Sequence, residues 1–208
     1  EMCIRDRLKT DPAEPLDGTQ TRILDAELLS MQHRGVGLRG AEQAAFNTTS
    51  ERLAALSTGF SNHVLDATQS WSLVIQERAQ LNGVPERALE ILAAAAKEAG
   101  DQAADGSEPS AAEGPWRLGL DMPRYIPVIT HAKDRNLRET VYKAHVSRAS
   151  SGDLDNAPLI EEILELRRQQ ANRLGYANWA ELSLASKMAD DVSAVESLLE
   201  ELRASAMP

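Results

Sequence analysis

The chain has 208 residues, of which 42% are hydrophobic and 4% aromatic, and its 22 Lys and Arg against 32 Asp and Glu give a formal net charge of −10. This apolar content can build the core of one ordinary domain or two small ones, which excludes wholesale disorder. No apolar run approaches the roughly 18 to 20 residues of a membrane span, and the acidic balance argues against nucleic acid or an anionic membrane surface as a partner.

Alanine and leucine supply 31 and 26 of the 208 residues, which favours a mainly α fold because both are strong helix formers. Apolar residues at helical spacing predict a first helix over 19–34, ended by Gly35, and a long second helix over about 41–68. Each helix is expected to bury one apolar side. These sides are Ile23, Leu24, Leu28 and Met31 in the first helix, and Phe46, Leu53, Leu56, Phe60 and Val64 in the second.

Two short segments break the helical spacing. Residues 71–76 and 116–121 alternate in side-chain type, and we expect them to pair as one short antiparallel β-ribbon. Between them, an alanine-rich helix is predicted over 86–99 and ends at Gly100. Residues 100–114 are small, polar and rich in Gly, Pro and Ser, which predicts an exposed loop.

The second half of the chain is predicted to be helical. A short helix limited by Pro127 precedes helices over 134–148, 157–174 and 179–184, and a last helix opens at Asp190 and Asp191. Asn156 is expected to cap the helix that begins at 157. The expected apolar sides are Leu137, Val141, Tyr142 and His145, then Leu159, Ile160, Ile163, Leu164 and Leu166, then Val195, Leu198, Leu199 and Leu202.

The four histidines do not form a local metal site. His33, His63, His131 and His145 are too far apart in sequence for any two to share one helical turn, as a His-Glu-x-x-His zinc site requires. We therefore expect each of them to be a packed or solvated residue.

An acidic cluster on one predicted helix has two interpretations. Glu161, Glu162 and Glu165 could act as acid and base or could ligate a hard metal ion. However, Arg167 and Arg168 follow at once, which is typical of a solvated helix face with internal ion pairs. We favour the solvated face.

Two further features give no site. The spacing of Gly35, Gly37 and Gly40 matches G-x-G-x-x-G but follows a helix, whereas dinucleotide binding needs a preceding strand. Cys3 has no histidine in a recognisable catalytic arrangement, and as a single cysteine it can form no internal disulfide. From these residue patterns we predict no catalytic, cofactor-binding or metal-ligating residue.

Several unbroken stretches in the order of the chain nevertheless resemble one family. They cover roughly residues 19–206, and the chain resembles the oligopeptidase A and thimet oligopeptidase family of zinc metallopeptidases. The segments are Leu56–Thr68, Trp116–Val128, Leu137–Ser150, Asp155-Asn156, Ile163–Arg167, Leu174–Glu181 and Leu184–Ala189. One departure is His63, where bacterial relatives often carry a second Asn.

The resemblance implies an almost wholly helical, neurolysin-like channel enzyme that hydrolyses short peptides in the cytoplasm. In that family a His-Glu-x-x-His helix and a downstream Glu hold one zinc ion, and the motif's Glu activates the attacking water. No residue of this chain matches those positions. The resemblance thus implies a segment of the N-terminal helical half, one wall of the channel, that neither binds zinc nor cleaves peptides without the catalytic half of the same polypeptide.

The ends of the chain carry separate expectations. Residues 1–10 look like a non-native leader, and residues 11–208 like part of the N-terminal helical domain of a larger peptidase. If the chain is a truncated piece, the apolar side of the last helix is expected to be exposed. The alternative hypothesis is a non-enzymatic helical domain that binds a protein partner in an exposed groove.

Overall fold

The computed structural model describes Arg7, Lys9, Thr10 and residues 15–207. Cys3 and most of the leader expected over residues 1–10 lie outside the described residues. The fold divides into two compact units. We call the part up to Ser57 together with the part from Ile160 onward the terminal unit, and Thr58–Leu159 the central unit.

The fold is mainly α-helical with one two-stranded antiparallel sheet in the described part. Short 3₁₀ turns lie at Arg78–Leu81 and Gly152–Leu154. The α-helices and strands are α1 (Gly18–His33), α2 (Gly40–Ser70), β1 (Leu73–Ile75), α3 (Glu86–Ala99), β2 (Trp116–Leu118), α4 (Met122–His131), α5 (Arg135–Val146), α6 (Ala157–Arg173), α7 (Trp179–Leu184) and α8 (Val192–Ala206).

In the terminal unit, the first part of α2 lies antiparallel to the second part of α6. Arg52 donates two hydrogen bonds to the Glu162 carboxylate, at 2.6 and 2.7 Å, and Gln170 Nε2 donates to Ser50 Oγ at 3.0 Å. The buried side chains here are Leu28, Met31, Phe46, Thr49, Leu56, Ala171 and Leu182.

In the central unit, the predicted ribbon is confirmed but is shorter than expected. Leu73 pairs with Leu118 and Ile75 with Trp116, so each strand holds three residues instead of six. Pro115 lacks the N–H that would extend the ladder on one side. On the other side, Asp121 caps α4 by accepting a hydrogen bond from the Arg124 backbone N–H.

The core of the central unit forms where the ribbon packs against α3, α4 and α5. Trp116, Leu118 and Val128 are fully buried at its centre. The remaining members are Ile75, Leu81, Val84, Ala88, Leu89, Leu92, Ala93, Leu120, Tyr125, Ala132, Leu137 and Val141. Burial of this apolar area is the main force that holds the ribbon, which two strands alone could not maintain.

Local capping explains most helix ends. Asp17 and Gln20 form a capping box at the start of α1, with bonds of 2.8 and 3.0 Å. Asp134, Asn178 and Asp191 accept backbone N–H bonds at the starts of α5, α7 and α8. Gly35, Gly100 and Gly175 follow the last turns of α1, α3 and α6 with positive φ.

The prediction that the Asn156 side chain caps α6 is wrong. The Asp155 carboxylate accepts the Ala157 N–H at 2.9 Å instead. The Asn156 side chain bonds to α2, at Phe60 and His63.

The predicted apolar sides are buried only in part. Ile23, Tyr142, Ile160 and Leu164 are exposed, so helical spacing alone did not determine which apolar residues are buried. Leu198, Leu199 and Leu202 on α8 are also exposed and Val195 is half-buried, so the stripe predicted to be buried on this helix is not buried in the described structure. No helix among the described residues is long and apolar enough to cross a membrane.

Candidate functional site

The structure does not bring the four histidines together. His33 ends α1 in the terminal unit, whereas the other three lie in the central unit. His63 bonds to Asn156, and the His145 ring stacks on Tyr125 with 3.9 Å between ring centroids. The fourth, at the end of α4, is exposed. Each described histidine is therefore packed or solvated.

The most enclosed polar cleft that we find in the terminal unit lies where α1 and α6 end. Both helices finish in the same type of turn: the Val36 N–H bonds to the Met31 carbonyl at 3.2 Å, and the Tyr176 N–H to the Ala171 carbonyl at 2.9 Å. The cleft has a volume of about 310 Å³. Its lining is Gln32, His33, Gly37, Leu38, Arg173, Leu174, Gly175 and Tyr176.

A histidine and a tyrosine meet in this cleft. His33 Nε2 and the Tyr176 hydroxyl are 2.8 Å apart, and the two rings meet edge to face with 5.5 Å between centroids. Partial burial lowers the pKa of His33 below its ordinary value of 6.5, because desolvation disfavours the imidazolium. The imidazole is thus neutral at neutral pH.

The charge lining the cleft is already compensated. Arg173 Nε donates to Glu42 at 2.9 Å, and its side chain is about four-fifths buried, with 19% exposed. The carbonyl ends of α1 and α6 add partial negative charge. The cleft therefore offers neutral hydrogen-bonding groups for a small polar ligand, and none of its lining residues is a carboxylate that could serve as a general base.

The contact between His33 and Tyr176 could not be predicted from residue patterns. Neither Arg173 nor Tyr176 belongs to a recognisable chemical motif. The available signal was Gly175, whose αL conformation turns the chain back and places Tyr176 beside the end of α1.

The central unit contains a buried polar node at Asn156. Its Oδ1 lies 2.9 Å from His63 Nδ1, and its Nδ2 donates to the Phe60 carbonyl at 3.1 Å. Asn156 is 3% exposed, and its two partners, His63 and Phe60, are half-buried. This node ties the start of α6 to the second part of α2, a structural role.

Two of the three glutamates of the acidic cluster on α6 form ion pairs, and the third, Glu161, is exposed. Glu162 binds Arg52, and Glu165 accepts from Arg168 and Gln169 at 2.7 to 2.9 Å. These bonds lower the pKa of Glu165 to about 2. The carboxylates thus face neighbouring cations on the protein surface, in agreement with the solvated-face interpretation.

The Gly35–Gly40 motif is part of the turn that joins α1 to α2. A Cβ at Gly35 would lie 2.7 Å from the Phe46 ring. This glycine therefore allows close packing against α2, and no strand precedes it in the described part of the chain.

No metal centre is formed by the residues that the structure describes. They contain no group of three or more His, Cys, Asp or Glu side chains that could hold a metal ion. The zinc ion implied by the family resemblance thus has no fitting ligand set within residues 15–207.

Fold and site together define a mainly helical protein that carries a small β-ribbon and a polar cleft without a metal cluster in its described part. Residues 128–208 match the family model described as peptidase family M3. The chain is 43% identical over 188 residues to a probable cytosolic oligopeptidase A of Arabidopsis thaliana. The aligned segment covers 90% of this chain and 26% of that protein.

Other relatives agree. Oligopeptidase A of Salmonella typhimurium is 38% identical over 209 residues, 98% of this chain and 29% of that protein. A dipeptidyl carboxypeptidase of Escherichia coli is 27% identical over 188 residues, 90% of this chain and 26% of that protein. The chain belongs to peptidase family M3 and spans less than a third of the length of these relatives.

Proposed function

We propose that this chain is a part of the N-terminal helical half of a zinc-dependent oligopeptidase, a metalloendopeptidase that hydrolyses short peptides. The observation that carries the proposal is the identity of 36 to 43% to proteins named oligopeptidase A, over at least 90% of this chain. The chain covers only 23 to 29% of the length of those proteins, so the peptidase activity is assigned to a longer polypeptide.

Within that polypeptide, residues 11–208 act as part of the N-terminal helical domain and form one wall of the substrate channel. The lack of a metal-ligand group in the described residues supports this division of labour. The chain alone is expected to be inactive, and its partners are the zinc-bearing catalytic half and the peptide substrates.

The same proposal places the protein in the cytoplasm, with neither nucleic acid nor a membrane as a partner. One relative is named a cytosolic oligopeptidase. The net charge of −10 disfavours binding to polyanions and to anionic lipid.

The uninterrupted gene tests the proposal most simply. We expect the reading frame to continue beyond codon 208 and to encode a His-Glu-x-x-His helix with a downstream Glu. A natural stop codon close to codon 208 would overturn the proposal.

A natural stop codon close to codon 208 would favour a non-enzymatic helical domain that binds a protein partner. The observation on its side is the exposed leucine face of α8, formed by Leu198, Leu199 and Leu202. Such a face is unusual on a monomeric protein without a function.

A further inference from the structure

The helical hairpin formed by α4 and α5 is basic in an acidic protein. Residues 122–146 contain five Lys and Arg side chains and two carboxylates, a net charge of +3, while the whole chain carries −10. The hairpin is therefore basic in formal charge, although Arg124 is paired with Asp121, the residue just before α4.

The same hairpin exposes large apolar side chains. Met122 and Ile126 on α4 are 60% and 44% exposed, and Tyr142 and Val146 on α5 are 52% and 57% exposed. Each pair is spaced at i and i+4, so each forms a stripe along its helix. The stacked rings of Tyr125 and His145 bring the start of α4 beside the end of α5.

A shallow groove of about 280 Å³ lies on this hairpin and is lined by both basic and apolar side chains. Its lining is Ile129, Arg135, Arg138, Glu139 and Tyr142. The Glu139 carboxylate is paired with Lys143 Nζ at 2.5 Å, and the Arg138 guanidinium donates to the Ala132 carbonyl. Arg135 forms no salt bridge within 4 Å among the described residues, although its charge also attracts the Glu139 carboxylate, and it is exposed at the groove.

We propose that the α4–α5 groove is a docking surface for an acidic protein segment that also carries apolar side chains. Arg135 would bind a carboxylate of the partner, and Tyr142 with Ile126 would cover its apolar side chains. Arginine and tyrosine are enriched at protein interfaces because each combines a polar group with a large contact area. This proposal is independent of the peptidase assignment.

Nucleic acid fits the groove less well. Its binding rewards dense arrays of Lys and Arg along a surface, whereas this groove holds two guanidinium groups and one carboxylate beside Ile129 and Tyr142. The negative charge of the rest of the chain would also repel a polyanion.

The test uses the full 208-residue chain and two fluorescein-labelled peptides. One is an amphipathic peptide with Leu at helical spacing and Glu on the other positions, and the second has Lys in place of Glu. Fluorescence anisotropy is expected to show saturable binding of the Glu peptide, weakened by added salt, and no binding of the Lys peptide.

Two variants locate the site. Arg135→Glu is expected to weaken binding by about threefold to tenfold, and Tyr142→Ala by about fivefold to thirtyfold, the effect of truncating an interface anchor. Arg87→Glu is the matched control, because Arg87 is an exposed helical arginine of the same unit away from the groove. Circular dichroism checks that each variant is folded.

Three results would overturn the proposal. One is the absence of saturable binding to the Glu peptide. Another is an equal loss of affinity for that peptide in Arg87→Glu and in Arg135→Glu. The third is tighter binding of a labelled single-stranded oligonucleotide than of the Glu peptide, which would indicate a nucleic-acid surface.

Discussion

Asn156 is the residue on which the contact between α2 and α6 in the central unit depends. Replacement by Ala leaves the Phe60 carbonyl and His63 Nδ1 without their partner in a buried setting. We expect the free energy of unfolding of Asn156→Ala to fall by about 1 to 3 kcal/mol, as measured by urea denaturation.

Asn62 on α2 provides the matched control, because it is exposed. Asn62→Ala is expected to change stability by less than about 0.5 kcal/mol. Equal effects of the two substitutions would show that the Asn156 bonds contribute nothing specific.

Gly35 meets two constraints at once. Its φ is +75°, and a Cβ there would lie 2.7 Å from the Phe46 ring. Gly35→Ala is therefore expected to lower the free energy of unfolding by about 2 to 4 kcal/mol, the sum of backbone strain and overpacking. Gly40→Ala separates the two causes, because Gly40 has a φ of +56° with open space around it.

The strain at Gly40 alone is expected to cost about 1 to 2 kcal/mol. If thermal denaturation finds Gly40→Ala as harmful as Gly35→Ala, the contact with Phe46 is not important for stability.

His33 gives the candidate cleft a defined pH response. Burial lowers its pKa in the folded state below 6.5, so the unfolded chain takes up this proton at a higher pH than the folded chain does. The contribution of His33 to stability is thus present above pH 6.5 and is lost as the pH falls through the lower, folded-state pKa.

His33→Gln removes the titrating group and keeps a hydrogen-bonding side chain beside Tyr176. The decrease in Tm between about pH 7 and pH 5 is expected to be smaller in this variant than in the parent chain. An unchanged decrease would assign the acid sensitivity to other groups.

At the scale of elements, α8 differs from the other long helices because none of its residues is buried. Its exposed leucine face should bind a hydrophobic dye and promote self-association of the purified chain. We expect Leu199→Glu to reduce both dye fluorescence and the sedimentation coefficient at high concentration.

Ile23→Glu is the control for this effect. Ile23 on α1 is exposed to a similar extent, 57% against 59% for Leu199, but it is a single exposed residue rather than part of a leucine face. A monodisperse parent chain without a dye response would contradict the prediction.

Helical spacing and caps predicted the order of the elements well, because both depend on residues close in sequence. Gly35 and Gly175 end α1 and α6 as expected, and Asp191 caps α8. The ribbon was also found from alternation alone. These features are local, so one stretch of sequence contains the information that determines them.

The remaining differences come from contacts between distant residues. Helical spacing placed Tyr142 and Leu164 on apolar sides, but burial depends on which neighbour packs there. Asn156 was predicted to cap α6, but its amide has partners on α2, and the neighbouring Asp155 accepts the Ala157 N–H instead. The pairing of His33 with Tyr176 joins residues 143 apart, and Gly175 indicates only that the chain turns there, not which residue Tyr176 meets.

At the scale of the whole molecule, the composition predicted a mainly helical chain but not its division into two units. The terminal unit combines the first part of the chain with its last part. Neither part shows a distinct composition, since both are rich in Ala and Leu. The division instead follows from contacts between distant residues, and its boundaries fall inside α2 and α6.

We propose that this chain supplies helical structure to a zinc oligopeptidase, and the residues that the structure describes contain no group of side chains that could hold zinc. The most direct measurement is the zinc content, by mass spectrometry, of the purified 208-residue chain and of the complete product of its gene, together with their hydrolysis of a quenched short peptide. We expect one zinc ion and chelator-sensitive cleavage for the complete protein, and neither for the chain alone. Stoichiometric zinc or zinc-dependent cleavage by the chain alone would contradict it.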